Sequence, residues 1–307
     1  MADRRQRLAW LCLALLALNL AGGAGLLGLF LAGGAACASL GLVAWLLGLR
    51  HAFDADHIAA IDNVTRHLRQ QGQRPVAIGL FFSLGHSTVV ILMTLAVALG
   101  LQRSHGLSSW LGTWGVPASL LGSALFLTVL GLLNLRALRA RPGSPPRYGH
   151  VAHSRAMFPL GMAFGLNLDT AGEVVLLAAS AAALDAAGLP LWAMMLFPLL
   201  FTAGMSAADS AEGLLMMRLY DWAVTDANRT LSLNRATTAL SVVFALTVAG
   251  MQWIALAHWL GAPAVPGSIG DFIASATVGV AVTLMMATLW LVARLRRQAV
   301  ATPSGPV

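Results

Sequence analysis

The octet Arg50-His51-Ala52-Phe53-Asp54-Ala55-Asp56-His57 lies within a long apolar segment that extends from about residue 37 to about residue 62. It places five ionisable side chains within eight residues. A charge at the centre of a bilayer costs about 2.5–3.5 kcal/mol on insertion scales, so a membrane helix retains such a cluster only where the charges have partners. Imidazole and carboxylate together form a ligand set that divalent transition metals favour. The octet therefore indicates a functional site.

The composition around the octet defines the class of protein. Of the 307 residues, 58% are hydrophobic and 10% are charged, whereas soluble domains contain about 25% charged residues. Apolar segments of about 20 residues are long enough to span a bilayer. Eight such segments can be drawn, near residues 8–31, 37–62, 76–101, 116–138, 157–183, 189–218, 233–260 and 269–293. We therefore predict an all-α polytopic membrane protein with eight transmembrane helices.

The cationic residues orient this bundle. All 19 are arginines, and the formal net charge is +7. Apart from Arg50, they cluster before the first segment, after the second, fourth and sixth, and at the end of the eighth, whereas the opposite connections contain only Arg103. The positive-inside rule then predicts that both termini are cytoplasmic. Since topology accounts for the charge, we expect no nucleic-acid partner, and the lack of lysine excludes a Walker A loop.

The chain divides into two groups of four predicted helices. Residues 1–138 contain helices 1–4, residues 139–156 form a proline-containing cytoplasmic linker, and residues 157–307 contain helices 5–8. The N-terminus imitates a signal peptide, but its apolar run is longer than the usual 7–15 residues, so we expect a retained first helix. Cys12 and Cys37 are predicted to pack as small apolar groups rather than to form a disulfide.

Three further predicted helices carry polar groups at membrane depth. In helix 3, His86 lies among hydroxyl residues and next to Gly85. In helices 5 and 6, pairs of acidic residues stand three or four positions apart, a spacing that places both members of a pair on one helix face. The polar residues of these helices and of the end of helix 2 are Asp62, His86, Asn167, Asp169, Thr170, Glu173, Asp209 and Glu212.

Helical geometry separates the two inner aspartates of the octet. At 100° per residue, Asp54 falls on the same face as His51 and His57, whereas Asp56 points about 100° away from His57. Either the helix is distorted at this point, or Asp54 binds the metal while Asp56 pairs with Arg50 or orients an imidazole. The sequence leaves these alternatives open.

At these residues the chain resembles the NiCoT family of nickel/cobalt transporters. The resemblance rests on four motifs that occur in the family's order and in the corresponding predicted helices. They are the His-x4-Asp-His motif at His51, Asp56 and His57; Leu84-Gly85-His86-Ser87; the segment Asn167 to Glu173; and Gly204-Met205 with Asp209. Three positions depart from the family pattern, namely Asn167 for glycine, Gly172 for threonine and Glu212 for aspartate.

The resemblance implies eight helices with cytoplasmic termini and high-affinity uptake of Ni²⁺ or Co²⁺ across the bacterial cytoplasmic (inner) membrane. It implies a permease, not an enzyme, with no cofactor beyond the transported ion and with the bilayer as its other partner. We expect the metal to be bound by residues of helices 2 and 3, namely His51, Asp54, Asp56, His57 and His86. We expect the transport path or the second shell to contain Arg50, Asp62, Asn167, Asp169, Thr170, Glu173, Asp209 and Glu212.

Three alternatives accompany this interpretation. An efflux permease often carries a histidine-rich loop, but the long linker here contains only His150 and His153, which favours uptake. A membrane subunit of an ATPase-driven importer would have the same apolar composition. A membrane metalloenzyme would need several histidine boxes or a His-Glu-x-x-His motif, and the sequence contains neither.

Overall fold

The computed structural model describes residues 2–101, 116–139, 153–165, 188, 191–223 and 227–261. Seven α-helices and one short 3₁₀ helix (Ser154–Ala156) lie in these ranges, which contain no strand, so the all-α class is confirmed for them. The α-helices are α1 (Ala2–His51), α2 (Ala55–Gln70), α3 (Ile78–Leu101), α4 (Val116–Arg139), α5 (Met157–Phe164), α6 (Leu191–Ala223) and α7 (Ala227–Trp259). The predicted eighth segment lies outside the described residues.

Helix α1 is a hairpin of two helical segments. It breaks at Gly34, where φ is 73° and ψ is −169°, a conformation that glycine adopts without the steric cost of a Cβ. Beyond the break the chain folds back on itself. Two contacts show this: the indole Nε1 of Trp45 donates to Oδ1 of Asn19 at 3.0 Å, and Gly41 lies against Leu26 and Leu29. The two segments correspond to the first two predicted apolar segments, although the second ends earlier than predicted.

Helix α6 lies at the centre of the described bundle and packs against α1, α2 and α3. Glycines permit the closest approaches. A Cβ at Gly204 of α6 would overlap the carbonyl oxygen of Trp45 in α1, and a Cβ at Gly79 of α3 would overlap the carbonyl oxygen of Asp209 in α6. Small residues at helix interfaces are typical of membrane bundles. These close contacts bring together the end of α1, the start of α2 and the middle parts of α3 and α6.

Three of the described helical stretches are long and apolar enough to cross a membrane, namely Arg5–His51, Ile78–Ala96 and Ala193–Asp221. The outer face of α1 exposes large apolar side chains, including Trp10, Leu16 and Leu20, each more than half exposed. A surface of this kind is unfavourable in water and suits contact with lipid. The number of eight spans and the orientation of the termini stay predictions.

Candidate metal site

The predicted second helix is interrupted inside the octet. Helix α1 ends at His51 and α2 begins at Ala55, with a turn over residues 52–54. In the turn, the backbone N–H groups of Phe53 and Asp54 donate to the carbonyls of Arg50 and His51, three residues back, at 3.0 and 2.9 Å. The predicted segment near residues 37–62 is thus not one regular helix, and the helix is distorted at the octet, which is the first of the two alternatives that the sequence left open.

Three buried histidines meet at this interruption. His51 ends α1, His57 lies in the first turn of α2, and His86 lies in α3; each is at most 2% exposed. Each ring offers a nitrogen, and the three nitrogens lie within 4.8 Å of one another. The ring centroids are 4.7 to 4.9 Å apart in all three pairs. We call these three residues the histidine triad.

The closest pair of the histidine triad has the spacing of two ligands on one ion. Nε2 of His51 lies 3.2 Å from Nε2 of His86. Two nitrogens bound to one metal at about 2.0–2.1 Å, with an angle of about 90–110° between the bonds, lie roughly 2.8–3.4 Å apart. The two rings already have that separation, so an ion can replace the contact between them without a large movement of α1 or α3.

Two of the three imidazoles each contact a carboxylate through Nδ1. Nδ1 of His51 lies 3.0 Å from Oδ2 of Asp54, and Nδ1 of His57 lies 3.3 Å from Oδ1 of Asp209. The contact of His57 has hydrogen-bond geometry, and Nδ1–H donating to Asp209 leaves the lone pair of Nε2 for a metal. The contact between His51 and Asp54 is an ion-pair distance, and both carboxylate groups are buried.

Arg50, the arginine of the octet, pairs with Asp54 as well. Nη2 of Arg50 lies 3.8 Å from Oδ1 of Asp54, and the Arg50 side chain is about half exposed. Asp54 therefore contacts an imidazole on one side and a guanidinium on the other. The backbone of Asp56 belongs to α2, but its side chain lies outside the described part of the molecule.

Three residues at this cluster were not among the predicted site residues. Ser83 Oγ donates to Oδ2 of Asp209 at 2.6 Å, so it holds the carboxylate that contacts His57. Phe82 packs edge-on against His57 at a centroid distance of 4.8 Å, and Phe201 packs against His51 at 5.6 Å. Ser83 precedes His86 by three residues, a helical spacing that places both on one face and that the sequence could have revealed.

Two further predicted acids lie on the described helices. Asp62 of α2 and Glu212 of α6 are 4% and 3% exposed. The Tyr220 hydroxyl donates to Oδ1 of Asp62, whereas neither carboxylate oxygen of Glu212 has a hydrogen-bond partner among the described residues. Asp62 shares α2 with His57, and Glu212 shares α6 with Asp209, the carboxylate partner of His57. The predicted residues of helix 5 lie outside the described ranges, namely Asn167, Asp169, Thr170 and Glu173.

A family model described as "High-affinity nickel-transport protein" matches residues 37–144 and 136–296, which include the whole histidine cluster. The chain belongs to this family, NicO. The resemblance to nickel/cobalt transporters that the motifs indicated is thereby confirmed. The family is one of transport proteins and not of enzymes, and nickel and cobalt are substrates of its members rather than cofactors.

Curated relatives support the assignment along most of the chain. The cobalt transport protein NhlF of Rhodococcus rhodochrous is 39% identical over 300 residues, which cover 87% of this chain and 85% of the relative. The high-affinity nickel transport protein of Cupriavidus necator is 39% identical over 252 residues, 70% of this chain and 69% of the relative. The nickel transporter NicT of Mycobacterium tuberculosis is 37% identical, covering 83% and 77%. No solved structure matches the chain significantly.

Proposed function

We propose that this NicO protein takes up Ni²⁺ or Co²⁺ across the bacterial cytoplasmic membrane and that the histidine triad binds the ion on its way. The observation that carries the proposal is the meeting of three buried imidazoles within 4.8 Å on three helices that approach closely. Imidazole nitrogens bind both nickel and cobalt well. Ionisable residues are rare within membrane spans, and where they occur they mark functional sites such as ion pathways.

In this proposal the carboxylates assist the imidazoles. Asp54 and Asp209 orient His51 and His57 from behind, and their negative charge offsets that of the incoming cation. Ser83 fixes the Asp209 carboxylate in place. The ion then loses part of its hydration shell to the three nitrogens, and the remaining positions are filled by water or by Asp56. Asp62, Glu212 and the acids predicted in helix 5 line the path on either side.

Two observations favour uptake over efflux. The relatives named above include a high-affinity nickel transport protein, and high affinity is useful for an importer that collects a scarce ion. The linker lacks the histidine-rich stretch of many efflux proteins. Both termini on the cytoplasmic face, as the arginines predict, would be consistent with an even number of spans.

The test is accumulation of radioactive nickel by cells that express this chain without any partner protein. We expect uptake in the wild type, and loss of at least about 90% of it in His51→Ala, His57→Ala and His86→Ala at equal membrane abundance. His258→Ala is the matched control, because His258 is an exposed histidine at the end of α7 and should leave uptake unchanged.

Each alternative gives a different result. Nickel-loaded cells that lose the ion faster when the chain is expressed would indicate efflux. Uptake that appears only after an ATPase is co-expressed would indicate a subunit of a larger importer. Normal uptake in all three triad variants would contradict the assignment of the site.

A further inference from the structure

A cavity of about 680 Å³ lies where the start of α1, the connection between α2 and α3, and the 3₁₀ helix meet. Three arginines from these distant parts of the chain line it, namely Arg7, Arg74 and Arg155. Much of the remaining wall is apolar and includes Trp10 and Phe81. Among the described residues of the wall, none is an aspartate or a glutamate. The described wall therefore combines cationic and apolar side chains.

The side chains of this cavity suit an anion. Three arginines line one space, and none of the described wall residues is an aspartate or a glutamate. Arginine binds phosphate through a planar fork of two parallel hydrogen bonds, which makes it the preferred side chain for phosphate recognition. A phosphate group in the cavity could accept hydrogen bonds from more than one of the three arginines.

The surface next to the cavity indicates where the rest of that ligand lies. Helix α1 continues from the cavity with a row of exposed apolar side chains, among them Trp10 at 72%, Leu13 at 57% and Leu20 at 68%. These residues belong to the candidate membrane span Arg5–His51. A free phosphate or a nucleotide gains nothing from such a surface, whereas an acyl chain buries it. Tryptophan at this position is also typical of the membrane–water interface.

We propose that the cavity binds the headgroup of an anionic phospholipid, whose acyl chains lie along the outer face of α1. Its volume is within the range of about 300–1,000 Å³ that holds a small molecule, which is enough for a phosphate headgroup. The three arginines belong to segments that the positive-inside rule assigns to the cytoplasmic face, and anionic lipids bind in basic pockets between helices on that face. The ligand is thus a lipid of the inner leaflet.

The experiment uses the purified full-length protein in a neutral detergent, with lipid binding followed by native mass spectrometry. We expect phosphatidylglycerol to bind at least tenfold more tightly than phosphatidylcholine. Each arginine contributes about fivefold to such binding, so the variant Arg7→Gln/Arg74→Gln/Arg155→Gln should bind phosphatidylglycerol roughly 100-fold more weakly. The single variant Arg74→Gln should lose about fivefold and provides the test if the triple variant does not fold.

The matched control is Arg136→Gln/Arg139→Gln/Arg218→Gln, which removes the same charge from exposed arginines outside the cavity wall. It should bind phosphatidylglycerol within about twofold of the wild type. Equal binding of the two lipids, or equal losses in the two triple variants, would overturn the proposal. Displacement of the lipid by inorganic phosphate at comparable concentration would also overturn it, because the apolar surface would then contribute nothing.

Discussion

Nδ1 of His57 lies 3.3 Å from Oδ1 of Asp209, although 152 residues separate the two in the chain. The second oxygen of the same carboxylate accepts a hydrogen bond from Ser83 at 2.6 Å. One buried carboxylate thus connects α2, α3 and α6 at the histidine triad. The contact explains how α6, which carries no histidine, takes part in a site made of imidazoles.

Asp209→Asn tests this contact. The amide keeps the size of the side chain but loses the charge that holds the proton on Nδ1 of His57. Outer partners of metal-binding histidines typically contribute 10- to 100-fold to affinity, so we expect Ni²⁺ affinity, measured by calorimetry on purified protein, to fall within that range. Asp221→Asn is the control, since Asp221 pairs with Arg69 rather than with a histidine; an equal loss in both variants would contradict the assignment.

Substitutions at Asp54 and Arg50 distinguish orientation of the His51 ring from a general effect of charge on metal binding. Asp54→Asn removes the negative charge beside Nδ1 of His51 and should weaken Ni²⁺ binding by about 10- to 100-fold. Arg50→Gln removes only a half-exposed partner of Asp54 at 3.8 Å, and such pairs contribute at most about 1 kcal/mol. We therefore expect less than about a fivefold change. A larger effect of Arg50→Gln than of Asp54→Asn in the same calorimetric titration would refute orientation as the role of Asp54.

Gly79→Ala tests the close packing of α3 on α6. A Cβ at this position would overlap the backbone carbonyl of Asp209, and overpacking of this kind costs about 1–3 kcal/mol. We expect a lower melting temperature in detergent together with weaker Ni²⁺ binding, because α3 carries Ser83 and His86. Gly122→Ala in α4 has open space around it and should be neutral or slightly stabilising. Similar melting temperatures for the two variants would show that the helices separate easily.

Arg66 holds a second polar cluster, away from the octet. The residue is 2% exposed, and its guanidinium donates to Asn63 of α2, Asn134 of α4 and Thr238 of α7. Thr238→Val removes one acceptor from a buried cation, which costs about 1–3 kcal/mol, so the melting temperature should fall. Thr88→Val is the control, since the Thr88 hydroxyl donates to a carbonyl of its own helix at 2.7 Å. A fall of the same size in both variants would contradict a linking role for Arg66.

The histidines could be identified from the sequence because their spacing, and the free-energy cost of placing them in a membrane, can both be read from short stretches of the chain. The resemblance to a family placed His51, His57 and His86 at one site, and the structure brings these three rings together. The rotation of a regular helix gave Asp54 the same face as His51 and His57. It could not reveal the turn over residues 52–54, which contains neither proline nor glycine and depends on tertiary contacts.

Contacts between residues of different helices could not be predicted from the sequence, for a physical reason. Asp209 and His57 meet because α6 packs against α2 and α3, and no periodicity within one helix encodes that packing. The convergence of Arg7, Arg74 and Arg155 on one cavity is of the same kind. Their common side of the membrane could be predicted from charge, but their common cavity required the three-dimensional arrangement.

Binding of one transported ion by three imidazoles can be measured by X-ray absorption spectroscopy of the nickel-loaded protein. We expect outer-shell scattering from three imidazole rings, with nitrogens about 2.0–2.1 Å from the metal. We expect two rings in His86→Ala and three in the control His258→Ala. A spectrum with oxygen ligands alone, or one that the loss of His86 leaves unchanged, would contradict binding by the three imidazoles.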